Sequence, residues 1–266
     1  MIEKHFGIEI DPTWQGLAGN TDTFVSGVRQ VLGQILRSQA GKILARSLLY
    51  HNKMTLLQPY EGQDCNAQEW YWGNREDNYS VVRFRPGTCG CDAPCKSQKN
   101  ASLPHEVLFH ELVHSLRRVS GHMHSWTLKK SDLAAYGDSE EFIAVVVTNI
   151  FISDVTNHNK SGLRADEVSH TALDPKLAES FRFYASGTKA FNLISSFCAE
   201  NRGFATQLAH VHASFNPVAA FYKNRQKAFN IAADGDSAIE FDNLPPMSYV
   251  QRPDGTWVRL MPFPER

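Results

Sequence analysis

Apolar residues recur at helical spacing through much of this chain, most clearly near its middle. Leu108, Leu112 and Leu116 stand four apart, with Phe109 and Val113 beside them, the one-turn repeat of a helix that buries a stripe. Pro104 falls where a first-turn proline belongs, Arg117 and Arg118 lie where cations complement the carbonyl end, and Gly121 supplies a stop. The pattern predicts a helix over 104–121. Another is expected over Phe24–Leu36, carrying Val28, Val31, Leu32 and Ile35, with Thr21 or Asp22 as N-cap. A short helix follows Gly41 through Ile43–Leu49. The segment 138–151 is capped by Asp138 or Ser139, holds Glu140 and Glu141 in its first turn, and is apolar nearly all round, the mark of a buried helix. Helical patterns return over 176–185, 191–201, 204–215 and 218–229.

Strand patterns are fewer. Met54–Pro59 reads as a strand ended by proline, 70–72 and 79–86 as two strands with a turn between, and 248–260 as a hairpin around Pro253-Asp254-Gly255. Residues 1–22 read as an irregular lead-in and 153–175 as an exposed polar loop. No internal repeat, low-complexity tract or linker divides the chain. The expectation is one α+β domain over 1–266, mostly helical, with a small sheet upstream of the helix at 104–121 and a helix-rich C-terminal part from about 155.

That central helix carries His110-Glu111-Leu112-Val113-His114, an H-E-x-x-H sequence. Residues four apart share a helix face, so both imidazoles can reach one zinc ion, while Glu111, about 100° round from His110, can reach a water on that ion without ligating it. The expected cofactor is one catalytic Zn2+, which takes three protein ligands and leaves a position open. A third histidine of the usual pattern would need glycine at position 117 and histidine at 120; Arg117 and Ser120 stand there, and His122 and His124 are at the wrong spacing. The third ligand is then a carboxylate, with Glu141 and Glu140 the leading candidates and Asp132 the next. In a metallopeptidase the strands just before such a helix include the edge that binds an extended substrate, and Val81–Arg85, with one polar face, is the candidate.

Composition narrows the partners. A net charge of −1 across 266 residues gives no electrostatic footprint for nucleic acid or anionic membrane. No apolar run approaches the roughly 20 residues of a membrane span. The first residues lack a secretory signal, so export needs a signal-peptide-independent route unless the chain is part of a longer one. Of five cysteines, Cys91 and Cys95 make a C-x3-C pair with no second pair to follow; with Cys65, Cys89 and Cys198 they read as a disulfide or free thiols rather than a structural metal site.

Glu141-Phe142-Ile143-Ala144, shortly after Tyr136-Gly137, is similar to the segment that carries the third zinc ligand in the peptidase domain of anthrax lethal factor. The resemblance implies Glu141 as ligand and Tyr136 as oxyanion stabiliser, although the tyrosine-to-glutamate gap here differs by two residues. More broadly, Gly41–Ala45, Met54–Pro59, Val82–Pro86 and Val107–Arg117 resemble the bacterial effector metallopeptidases, zinc enzymes of the H-E-x-x-H plus glutamate (gluzincin-like) type. What it implies is a zincin-like fold and a secreted or injected effector or toxin that hydrolyses peptide bonds. Glu111 would be general base, and a protein or peptide the substrate. A secretion apparatus or an immunity protein would be the partner. The alternatives are a zinc amidase acting on cell-wall peptides and a non-catalytic, zinc-stabilised binding module.

Overall fold

β2 (Met54–Pro59) forms over the residues its composition predicts and is paired on both sides. It runs parallel to β1 (Ile8–Ile10), from Ile8 opposite Thr55 to Ile10 opposite Leu57, and parallel to β4 (Tyr79–Phe84), from Met54 opposite Tyr79 to Pro59 opposite Phe84. β3 (Gln68–Trp70) lies antiparallel to β4, giving the order β1-β2-β4-β3. The edge strands are therefore β1 and β3. Val81–Arg85, expected at the edge, falls largely in β4, whose backbone is hydrogen-bonded to neighbours on both sides. The computed structural model describes residues 5–12, 21–51, 53–60, 68–70, 79–86, 103–155, 163–165, 173–180, 184, 187–224, 249–251 and 257–259.

Parallel neighbours need a long crossover, and between β1 and β2 it consists of α1 (Thr21–Ile35) and α2 (Gln39–Tyr50). Thr21 and Asp22 lie inside the first turn of α1 rather than at its cap. α2 begins earlier than its apolar pattern shows because the Ser38 hydroxyl accepts from Gly41 N–H at 2.8 Å. Gly41 is then no boundary. It sits in the first turn of α2, where a Cβ would fall 1.9 Å from the Ile35 carbonyl oxygen, so only glycine lets α2 fold back this closely on α1.

α3 (Pro104–Val119) has its proline at the start and the Glu106 carboxylate accepting from Leu103 N–H at 3.2 Å. It ends in a Schellman motif: Gly121, at φ +76°, donates to Arg118 O, and His122 N–H donates to Arg117 O, each at 2.9 Å. A 3-10 turn at Ala134–Tyr136 precedes α4 (Ser139–Val155). Asp138 is the cap of α4, accepting from Glu140 N–H at 2.9 Å and Glu141 N–H at 3.0 Å. α4 is buried along nearly its whole length, as its sequence predicts. The Phe109 and Phe151 rings stack at 4.1 Å between α3 and α4, and Ser115 on α3 hydrogen-bonds Ser80 of β4 at 2.9 Å. The two helices that matter for the site are thus fixed to each other and to the sheet.

The described residues of the C-terminal part hold α5 (Pro175–Ser180), α6 (Lys189–Glu200), α7 (Arg202–Ala209) and α8 (217–224). α6 and α7 differ in extent from their apolar patterns, and the far ends of the patterns over 176–185 and 218–229 lie outside the described residues. β5 (Tyr249–Gln251) and β6 (Trp257–Arg259) form the expected antiparallel hairpin, whose turn lies outside the described residues. The stretch read as an exposed loop holds a buried piece. Leu163 and Arg164 are covered because the Asn149 side chain brackets Arg164, accepting from its N–H and donating to its carbonyl at 2.8 Å each. One apolar cluster runs from Phe6 to Phe221, joining sheet, α3, α4 and the C-terminal helices. The chain is mixed α/β, mostly helical, with a small and mainly parallel sheet.

Candidate metal centre

α3 presents His110 and His114 one turn apart, and the first turn of α4 brings Glu141 against both. The His110 Nε2 and His114 Nε2 atoms are 3.2 Å apart. Glu141 Oε2 lies 3.1 Å from His110 Nε2, and Oε1 lies 3.2 Å from His114 Nε2. Four ligands placed tetrahedrally at zinc–nitrogen distances of about 2.0–2.1 Å stand about 3.3–3.4 Å from one another. The three donors have close to that spacing. His110, His114 and Glu141 form a group that could hold a metal ion.

The electrostatics agree. Burial pushes the His110 imidazole down to about 4, against the partial opposition of Glu141, so the ring is neutral and its nitrogen free to ligate. Burial would raise the Glu141 carboxyl, but its hydrogen bonds with His110 and His114 outweigh that and hold it well below the usual range. Its side chain keeps 24% of its exposure, against 7% for His110, so the group opens on the glutamate side. His110 Nδ1 faces Thr148 Oγ1 of α4 at 3.5 Å, the outer limit of a hydrogen bond.

Glu111 follows His110 on α3 and is 9% exposed. Of the other carboxylates weighed as ligands, Asp132 is exposed, and Glu140 is turned away into an ion pair with Arg117. His124 is exposed and its backbone N–H donates to Glu140 at 2.8 Å. Tyr136 is 3% exposed and packs edge-on to Phe142 at 5.1 Å. Burial first, and Tyr136 second, raise the Tyr184 phenol well above its ordinary value. Cys65, Cys89, Cys91 and Cys95 lie outside the described residues, and Cys198 is buried in the core on α6.

The residues that surround the three donors are not legible in the sequence. Thr148, Arg164 and the Arg117–Glu140 pair had no local signature, since each acts across many residues of chain. Arg164 places its charge near both His110 and Glu106. Glu106, one turn before His110, is 5% exposed; burial pushes its carboxyl from the ordinary 4.5 up to about 7, with Leu103 N–H and Arg164 pulling the other way. A raised carboxyl holds its proton more tightly folded than unfolded. Stability is therefore greatest below the unfolded value and falls as pH rises from there to about 7. Glu106→Gln keeps an acceptor for Leu103 and removes the ionisation. Its urea midpoint should exceed the wild type's at pH 8 by the equivalent of about 2–3 kcal/mol more than at pH 5. A gap that does not change with pH would contradict this.

Comparison with family models, curated proteins and solved structures gives no match. Among the described residues no helix is long and apolar enough to cross a membrane.

Proposed function

We propose that the chain is a zinc-dependent endopeptidase with a zincin-like fold, acting as a secreted or injected effector or toxin. The observation that carries the reading is the His110–His114–Glu141 triangle, with Glu111 on the same helix as both histidines. Two imidazoles and a carboxylate suit zinc, and three protein ligands with a position left open mark a catalytic rather than a closed structural site. Among the described residues no fourth His, Cys, Asp or Glu joins the group.

Zinc bound there supplies Lewis-acid polarisation of a carbonyl and acidifies water. The Glu111 carboxylate takes a proton from the attacking water and passes it to the departing amine nitrogen. The outer edge of β3, which packs beside α3, can accept an extended peptide as a further strand. The resemblance assigns the oxyanion to Tyr136, whose side chain is 3% exposed and packed against Phe142. A fall in kcat of about a hundredfold in Tyr136→Phe would support that role, and an unchanged kcat would leave Tyr136 to the core.

The test is a cleavage screen. Zinc-loaded protein is incubated with a denatured proteome, with casein and with peptidoglycan, and new amino termini are counted. New termini in protein that vanish with chelator support the reading; wall-peptide release alone would make the enzyme an amidase, and no cleavage of any substrate would contradict catalysis.

A further inference from the structure

A guanidinium that is 3% exposed needs partners, because an uncompensated buried cation costs several kcal/mol. Arg117, three residues after His114 on the last turn of α3, has them. Its Nε donates to Glu140 Oε2 at 2.5 Å and its Nη2 to Glu140 Oε1 at 2.7 Å, a two-pronged hold. Nη2 also donates to His122 O at 2.7 Å and to Glu200 Oε2, at the end of α6, at 3.1 Å. The Phe197 ring of α6 lies under the guanidinium, 5.7 Å from Cζ.

The partner matters because Glu140 immediately precedes Glu141. With Glu140 held on Arg117, the next side chain leaves the helix about 100° round, and there it meets His110 and His114. Metal–ligand distances tolerate only about 0.2 Å, so a slip of the first turn of α4 along α3 would pass straight to the third donor. The Asp138 cap holds the backbone of that turn; besides the contacts of Glu141 with the two histidines themselves, Arg117 ties it sideways to the helix that bears them.

We propose that Arg117 is a positioning residue of the metal centre: its hold on Glu140 sets the carboxylate of Glu141 opposite the two histidines, and Glu200 ties that hold to α6. The proposal rests on the reading that His110, His114 and Glu141 bind one ion.

The experiment is a double-mutant cycle read as zinc affinity by chelator competition, extended to millimolar zinc for weak variants. Arg117→Lys keeps the charge and loses the planar fork. It is expected to fold with unchanged far-UV circular dichroism and to weaken zinc binding about tenfold or more. In a Glu141→Ala background the same change is expected to have almost no effect, because no third donor is left to position. Visible Co2+ spectra report the ligand field directly, and Arg117→Lys should alter the band shape only where Glu141 is present. Equal weakening in both backgrounds would make Arg117 a general strut and overturn the proposal, as would unchanged affinity. Should Arg117→Lys not fold, Glu140→Gln enters the same cycle with the same expectations. A wild type that binds no zinc, or binds it unaltered by His110→Ala, would remove the metal reading itself; wild-type zinc lost in His110→Ala but indifferent to Arg117 and Glu140 would remove only this inference.

Discussion

Glu111→Gln is expected to keep its zinc and lose turnover by about a hundredfold to ten-thousandfold, the range that a positioned general base supplies. The substitution preserves shape and removes the basic oxygen. Glu111 is not among the three donors that converge, so metal content should stay at the wild-type value. It lies on the same helix, one residue from His110 and three from His114. The loss should fall on kcat with KM little changed, since the proton moves only on the way to the transition state. A variant that cleaves as fast as the wild type would remove Glu111 from the chemistry and leave the zinc without a catalytic role.

The second large effect is on stability. An ion that binds the folded state and not the unfolded one stabilises by RT ln(1 + [L]/Kd), about 4 kcal/mol at a thousandfold excess over Kd. For a chain of this size that shift is worth roughly 8–16 °C in Tm. Adding zinc to chelator-treated protein should raise Tm by that order, and Glu141→Ala should lose most of the gain while Asp132→Ala keeps it. The contrast follows from the structure, in which Glu141 meets both histidines and Asp132 is exposed. An equal gain in both variants would take Glu141 out of the site.

Local rules explain which features could be read from the chain. Pro104, the Leu108–Leu112–Leu116 repeat and Gly121 define α3 because each acts within a turn of its neighbours, and Asp138 caps α4 for the same reason. β2 is legible as a short apolar run ended by proline. The edge strand was not. Alternation along 81–85 reports which face is buried, whereas pairing on the strand's two sides depends on where β3 returns. Arg117 and Glu140 each looked like a response to the dipole of their own helix; 23 residues apart, they are each other's partners in the core. Gly41 looked like a boundary because sequence does not show the Ile35 carbonyl it must clear. Glu141 lay between: first-turn logic brought forward Glu140 and Glu141 alike, and only the packing of α4 on α3 turns one towards the histidines and the other towards Arg117.

Zinc per chain, measured by elemental analysis on the wild type and on His110→Ala after reconstitution at neutral pH, tests the central claim most directly. The account predicts one zinc in the wild type and none in the variant. Two zincs with one surviving the substitution would add a structural ion elsewhere, with the cysteines the first place to look. No zinc in the wild type, or a single zinc indifferent to His110, would contradict it.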